Sequence, residues 1–443
     1  MGASLSSCGM GKTFVGFGFG PIQSGLFLLE AYASGNFSRY VVAEVDDAVV
    51  TAVRKNGGCY RVNIARKDRI DRFELSGIEV CNPKDPQGRA RIVEAVAESG
   101  EMATALPSVD FYDAGDAAPA RLIAEGLAKR AKPLPTIVYA AENHNHAAEI
   151  LAGAIGKYLP GGVPAGVETL NTVIGKMSGV ITDAAVISKM RLDTVTPDLP
   201  RAILVEEFNR ILISRIHLPG YARGIEVFVE KDDLLPFEEA KLYGHNAIHA
   251  CIAYLADLKG YETIAEAGRD AKIMAVARDA FIRESGGALV RKYASLGDAL
   301  FTPAGYREYA EDLLDRMVRP TLNDLVSRVG RDHVRKLGYD DRLFGTMRLA
   351  LQYGITPTNL ALGAAACVLS LVKRRGETRD APRSTPTDPN ALTRALLGEL
   401  LNEVWRGGRD SFAEQLVDLT WQALIALRSG HHKSEAPRQE FED

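Results

Sequence analysis

The stretch Thr13-Phe14-Val15-Gly16-Phe17-Gly18-Phe19-Gly20-Pro21-Ile22-Gln23-Ser24-Gly25 decides the fold. The apolar run from Thr13 to Gly18 reads as a buried strand, Gly18 to Gly25 as a glycine turn, and Leu26 to Tyr32 as the opening of a helix. In that order the three make a dinucleotide cradle, because backbone without Cβ atoms lets a pyrophosphate approach the positive end of the helix. Gln23 stands where the third glycine of the fingerprint belongs. Gly18, Gly20, Pro21, Ile22 and Gln23 are the expected cofactor contacts. A second strand, Tyr40 to Val45, ends in Glu44-Val45-Asp46. Glu44 is placed to accept from a ribose 2′-hydroxyl, which favours NAD over NADP, whose extra phosphate an acid repels. The plain alternative is a glycine loop with nothing bound.

Downstream, Cys59 to Ala65 and Ile70 to Val80 read as a hairpin insert. Arg89 to Glu98 and Pro119 to Ala131 read as helices, and Met102 to Ala105 and Thr136 to Ala141 as strands. Strands alternating with helices predict a parallel sheet. The last of these strands delivers Glu142-Asn143-His144-Asn145-His146 at its C-terminal end, the edge where such sheets place ligands. Asn143 is therefore a candidate hydrogen-bond donor to a ligand. From about Pro200 strand signals thin out, apart from Gly224 to Glu230, and helical periods dominate. The expected organisation is α/β: a Rossmann-type dinucleotide-binding domain over 10–199, then a mostly α-helical domain over 200–443. Within the second, 373–390 reads as a linker, 391–404 and 410–429 as closing helices, and the tail after Gly430 as disordered.

The second informative stretch is Lys241-Leu242-Tyr243-Gly244-His245-Asn246-Ala247-Ile248-His249, in a helix expected from Pro236 to Leu258. At roughly 100° per residue, Glu238, Lys241, His245, Asn246 and His249 share an arc of about 140°. Ile252 and Ala256 continue that arc and Ile248, Cys251 and Leu255 flank it, so the polar stripe is expected to be walled in. Such groups are costly to bury without a purpose. A desolvated lysine loses proton affinity and serves as a base near neutral pH. An asparagine donates to an oxygen gaining negative charge, and a histidine holds a hydroxyl. The plain alternative is a helix with an ordinary charged edge. His144 and His146 with His245 and His249 would be the metal-binding alternative, but no cysteines support it and polar lining is the preferred reading.

The totals narrow the classes. A chain of 443 residues exceeds what one core usually serves, so two domains are the default. The net charge of -4 without a basic block argues against nucleic acid. Cys8, Cys59, Cys81, Cys251 and Cys367 form neither a disulfide framework nor a metal knuckle, which fits a reducing cytoplasm. The longest apolar run, Leu360 to Val372, is too short to span a bilayer and reads as a core helix. Near the start, a myristoylation pattern (Met1-Gly2, Ser6), a lipoprotein-like box (Leu5 to Cys8) and a P-loop-like Gly9 to Thr13 all lack the context that each requires. Met10, just ahead of the first strand, is an alternative start of translation.

Taken together, the sequence resembles the polyol-specific long-chain dehydrogenases, the mannitol dehydrogenase family. Lys241-x4-Asn246-x2-His249, with Ala253-Tyr254-Leu255 after it, resembles that family's signature. Gly330-Arg331-Asp332-His333-Val334-Arg335-Lys336-Leu337, Asp341-Arg342-Leu343, Gln352-Tyr353-Gly354-Ile355 and Asn359-Leu360 are similar to its mannitol-phosphate branch. The likeness runs from about Met10 to Lys373. It implies zinc-independent hydride transfer between NAD and a polyol or sugar phosphate, mannitol 1-phosphate with fructose 6-phosphate, or a free polyol or uronate. It also implies a soluble monomer or homodimer. Lys241 would be the general base, Asn246 and Asn143 donors to the alkoxide-like oxygen, His249 the substrate-orienting group, and Glu238 the proton relay. Lys176, Arg316 and His245 would contact substrate. The sequence departs from the family at Gln23, at Ile174-Gly175-Lys176 where a Val-Asp-Arg segment is expected, and in its long extension after Lys373. Loss of catalysis, leaving a dinucleotide-binding sensor or scaffold, is the reading from another class.

Overall fold

The computed structural model describes residues 12–407 and 410–429. The expectations for a start at Met10, for the patterns ahead of Lys12 and for the tail after Gly430 lie outside the described residues. By backbone contacts the chain divides into Met1–Glu238 and Glu239–Asp443.

The first unit is α/β. Its larger sheet is built from β1 (Lys12–Phe17), β2 (Phe37–Ala43), β5 (Ile78–Cys81), β6 (Ser99–Thr104), β7 (Thr136–Ala140), β8 (Val167–Val173), β11 (Leu212–Ser214) and β12 (Val229–Lys231). Their order is β12-β11-β8-β7-β6-β1-β2-β5. Every pair is parallel except β11 with β8. Side chains alternate across the sheet as the strand period requires. Val15 and Phe17 pack with Ile92, Val93, Leu122 and Ile123 of the helices Pro86–Glu98 and Pro119–Ala128, while Phe14 enters the opposite core with Leu26 and Phe27. The smaller sheet has the order β4-β3-β10-β9, with β3 (Tyr60–Ala65), β4 (Ile70–Leu75), β9 (Ser178–Ile181) and β10 (Ala202–Glu206).

Two expectations are corrected here. The alternating run from Ile70 to Val80 is not one strand. It breaks at Gly77, whose φ of 71° is in the left-handed region, and its second half joins the edge of the larger sheet beside β2. The segment 200–238, expected in the helical half apart from a strand signal at Gly224 to Glu230, belongs with the sheets: β10 and β11 are short and bracketed by loops, so no long period announced them, and β12 overlaps that signal only at its end.

The second unit is helical. The buried helix Thr358–Lys373 packs on Ala247–Leu258, closely enough that a Cβ at Gly363 would fall 2.7 Å from Sγ of Cys251. Around this pair lie the continuous helical run 271–292, Pro303–Met317, Phe344–Gln352, Arg394–Trp405 and Ala413–Ser429. Residues 323–325 interrupt two short helical turns, Pro320–Leu322 and Val326–Val329. The expected linker lacks long elements but is anchored, the amides of Arg383 and Ser384 donating to Glu403. Among the described residues no helix is long and apolar enough to cross a membrane.

Candidate active site

In the first unit the strand β1 runs into Gly18, which needs to be glycine on two counts. Its φ is 89°, and a Cβ would lie 2.8 Å from the carbonyl oxygen of Ala105. At Gly20 an added Cβ would meet nothing within 4 Å, so the backbone there faces open space. The amide of Ser24 donates to Gly20 O at 2.9 Å, closing the first turn of the helix. That helix opens at Pro21 and Ile22, passes through a π segment, Gln23–Phe27, and continues as Leu28–Ser34. A cavity of about 670 Å³ opens here, lined by Gly18, Gly20, Pro21, Ile22, Glu44 and Leu106 among others. Glu44 is half-buried and accepts the amide of Asp46 at 2.8 Å. Bare glycine backbone beside a helix start, with an acid at the end of β2 on the same cavity, fits a dinucleotide.

Gln23 does not line that cavity. It is fully buried against β1, over Gly16. Asn143, His144 and His146 are exposed just past β7, and the residue before them, Glu142, is buried. Lys176 is 7% exposed, and its ammonium donates to the carbonyl oxygens of Glu206 and Phe208, the latter at 2.8 Å.

The signature helix is not a plain α-helix. Leu235–Glu239 is α, Ala240–Asn246 is π, and Ala247–Leu258 is α again. In the π register the backbone bonds run five residues apart and each turn takes up more residues than an α-turn, so Asn246 comes round closer to Lys241 than the roughly 140° that an α-helix would put between them. The four-residue gap between them, awkward on an α-helix, is the π spacing. Lys241 and Asn246 are half-buried, while His245 and His249 are buried. Nε2 of His249 lies 3.1 Å from Asp324 Oδ2, close enough for ion pairing but off the hydrogen-bond line. Asp324 also holds Arg328 at 2.6 Å. Burial alone would raise the Asp324 carboxyl, but His249 and Arg328 outweigh it and its pKa is lowered. His245 is pushed well below the usual histidine range by burial and by the charges of His249, Arg316, Lys241 and Arg342, so it is neutral at pH 7. Arg316 is buried and pairs with Asp312 at 3.0 Å.

The sequence-predicted groups His249, Lys241 and Arg316 thus all act on the buried His245. Glu238 is half-buried one turn before Lys241. The sequence reading missed Asp324, which sits in an irregular segment, and Glu142, immediately ahead of the Asn143 that it did single out. Among the described residues no three His, Cys, Asp or Glu side chains converge as a metal site requires.

Fold and site together are those of a two-part, dinucleotide-type dehydrogenase, and residues 233–399 match the family profile described as the mannitol dehydrogenase C-terminal domain. The chain belongs to the mannitol dehydrogenase family. It is 30% identical over 360 residues to the mannitol-1-phosphate 5-dehydrogenase of Brevibacillus brevis, covering 80% of this chain and 85% of the relative. It is 29% identical over 368 residues to the enzyme of that name from Anoxybacillus flavithermus, covering 80% and 86%. The fold is that of Pseudomonas fluorescens mannitol 2-dehydrogenase, solved as a ternary complex with NAD and D-mannitol, with a TM-score of 0.68, 16% identity and coverage of 95% and 93%.

Proposed function

We propose that the protein is an NAD-dependent polyol dehydrogenase, and that its substrate pair is mannitol 1-phosphate and fructose 6-phosphate. The observation that carries the reading is the π-registered pair Lys241 and Asn246, with the Asp324-held His249 on the same helix. The names of the relatives support the phosphate, and the glycine turn with Glu44 supports NAD over NADP.

Bound NAD would supply the hydride acceptor, and the residues of the chain do the rest. Lys241 as neutral amine takes the proton of the alcohol as the carbon beside it gives up hydride. Asn246 donates to the oxygen as it gains and loses charge. His249, restrained by Asp324, orients the substrate hydroxyl, and neutral His245 contacts the substrate. Glu238 passes the proton from Lys241 toward water. Arg316 contributes positive charge near the substrate. No metal enters this scheme. A cytoplasmic monomer or homodimer goes with the reading, as do the unpaired Cys59, Cys81, Cys251 and Cys367.

A second reading, a free polyol or uronate dehydrogenase, is favoured by Lys176, whose charge serves the backbone carbonyls of Glu206 and Phe208. A spectrophotometric NADH screen of mannitol 1-phosphate, mannitol, sorbitol 6-phosphate and fructuronate, with and without chelator, separates the two. The expected result is the highest kcat/KM on mannitol 1-phosphate, unchanged by chelator. A preference for mannitol or fructuronate selects the second reading, and loss with chelator overturns the metal-free chemistry.

A further inference from the structure

The cavity beside the glycine turn carries two large apolar side chains that remain open to water. Val45, directly after Glu44, is 53% exposed, and Phe111 is 49% exposed. A lone exposed apolar residue needs no explanation, but two lining one cavity are a wall awaiting a flat partner. Phe111 is also not on a loose loop. It sits in the short 3-10 turn Val109–Asp113, and the residues on either side of the turn's start and end are fixed. Ser108 accepts the amide of Asp110 at 3.2 Å, and Asp113 accepts from Lys157 Nζ at 2.7 Å and from the Tyr158 hydroxyl. Tyr112, buried next to Phe111, gives its hydroxyl to Glu142.

Glu142 ties this turn to the sheet. It is 4% exposed, and besides Tyr112 it accepts Thr104 Oγ1 at 2.9 Å and the amide of Leu106 at 2.8 Å. One carboxylate thereby joins the end of β7, the exit of β6 and the aromatic turn, and Ala105, Leu106 and Pro107 of that exit line the same cavity as Phe111. A carboxylate suits this arrangement, because the Leu106 amide can only donate and each of the two hydroxyls can turn its proton toward an oxygen.

We infer that Phe111 stacks on the adenine of the bound dinucleotide and that Glu142 is the positioning residue that holds it there through Tyr112. The adenine end is the relevant one, because Val45 follows the acid that takes the adenosine ribose. The inference rests on the NAD reading given above.

Calorimetric titration of the full chain with NAD, ADP-ribose and nicotinamide mononucleotide tests it. Phe111→Ala should weaken NAD and ADP-ribose by about tenfold each, the usual scale of losing one base-stacking ring, and leave the mononucleotide unchanged. Phe111→Trp should retain affinity. Glu142→Gln should weaken the same two ligands by a similar factor, and added to Phe111→Ala should cost little more, since both act through one ring. Tyr112→Phe, which removes a single hydroxyl, stands in if Glu142→Gln fails to fold. It should shift the same two ligands in the same direction. Phe111→Ala binding within twofold of wild type, or losses from Glu142→Gln and Phe111→Ala that multiply, overturns the inference. Wild-type protein that binds none of the three ligands overturns the NAD reading instead.

Discussion

Gln23 lies over Gly16: a Cβ built on Gly16 would fall 2.8 Å from the amide carbon of Gln23 and closer still to its nitrogen. The third glycine of a dinucleotide fingerprint serves close packing of helix on strand. Here the strand supplies the missing space, and the departure from the fingerprint is compensated within the same unit. The compensation is incomplete, because neither polar atom of the Gln23 amide has a hydrogen-bond partner.

Gly16→Ala should therefore destabilise the protein by about 1–3 kcal/mol through overpacking. Gln23→Gly should relieve most of that loss, so the double variant loses less than the sum. Gln23→Met, of similar length and without the unpartnered amide, should raise stability by about 1 kcal/mol. Urea denaturation of the four variants checks all of these, and additive losses would refute the coupling.

Lys241→Ala should reduce kcat by roughly 10²–10⁴, the range of a lost general base, while NADH affinity measured by titration stays within twofold. Wild-type turnover would remove Lys241 from the base role. Equal loss of NADH affinity would mean that the substitution damages the fold rather than the chemistry.

How far the sequence was legible follows from the kind of signal each part carries. The β1 turn and helix 235–258 were readable because glycine φ requirements and apolar periods are local. The strands β10 and β11 were not, because three to five residues hold no period, and β12 was caught only where it overlaps the signal from Gly224 to Glu230. The π segment was hidden for a related reason: an α-helical wheel spreads Lys241 and Asn246 apart, and only tertiary packing selects the register that joins them. Glu142 and Asp324 escaped notice because their partners, Tyr112 and His249, are brought to them by the fold and not by spacing.

Glu284 is another such residue, and it sets a pH dependence. It is buried in the π segment Ala280–Ser285 and caps the helix Thr358–Lys373, whose N-cap Pro357 has no side-chain acceptor. Its carboxylate accepts from the amides of Asn359 and Leu360 at 2.7 and 2.8 Å and from Asn359 Nδ2 at 3.0 Å. Burial outweighs these bonds and raises its pKa from 4.5 to about 7. The folded state then holds a proton that the unfolded chain has released, so stability falls as pH rises from about 4.5 to about 7, by a few kcal/mol. Glu284→Gln should flatten that slope and cost about 1–3 kcal/mol, because its NH₂ group must face one of the donors. Urea midpoints at about pH 5 and pH 8 read both effects. A variant with the wild-type slope would assign the dependence elsewhere.

Gly244 reverses the usual sign of a glycine substitution. In a helix interior alanine is normally better than glycine by about 1 kcal/mol. Gly153, in the helix Ala147–Gly156, is exposed with nothing within 4 Å of an added Cβ, and Gly153→Ala should gain roughly that amount. Gly244 lies between Lys241 and Asn246 in the π segment, and an added Cβ would fall 2.7 Å from the hydroxyl of Tyr306 and 2.8 Å from Cε2 of Phe281. Both rings are buried, and the Tyr306 hydroxyl is engaged with Ser285 at 3.1 Å, so neither has room to withdraw. Gly244→Ala should lower stability by about 1–3 kcal/mol and reduce kcat more than it weakens NADH binding, because the π turn that aligns base and donor must shift to admit the methyl group. Thermal melts and steady-state kinetics of Gly153→Ala and Gly244→Ala, measured side by side, should move in opposite directions. A stabilised Gly244→Ala protein with full turnover would show that the π register is not what couples Lys241 to Asn246.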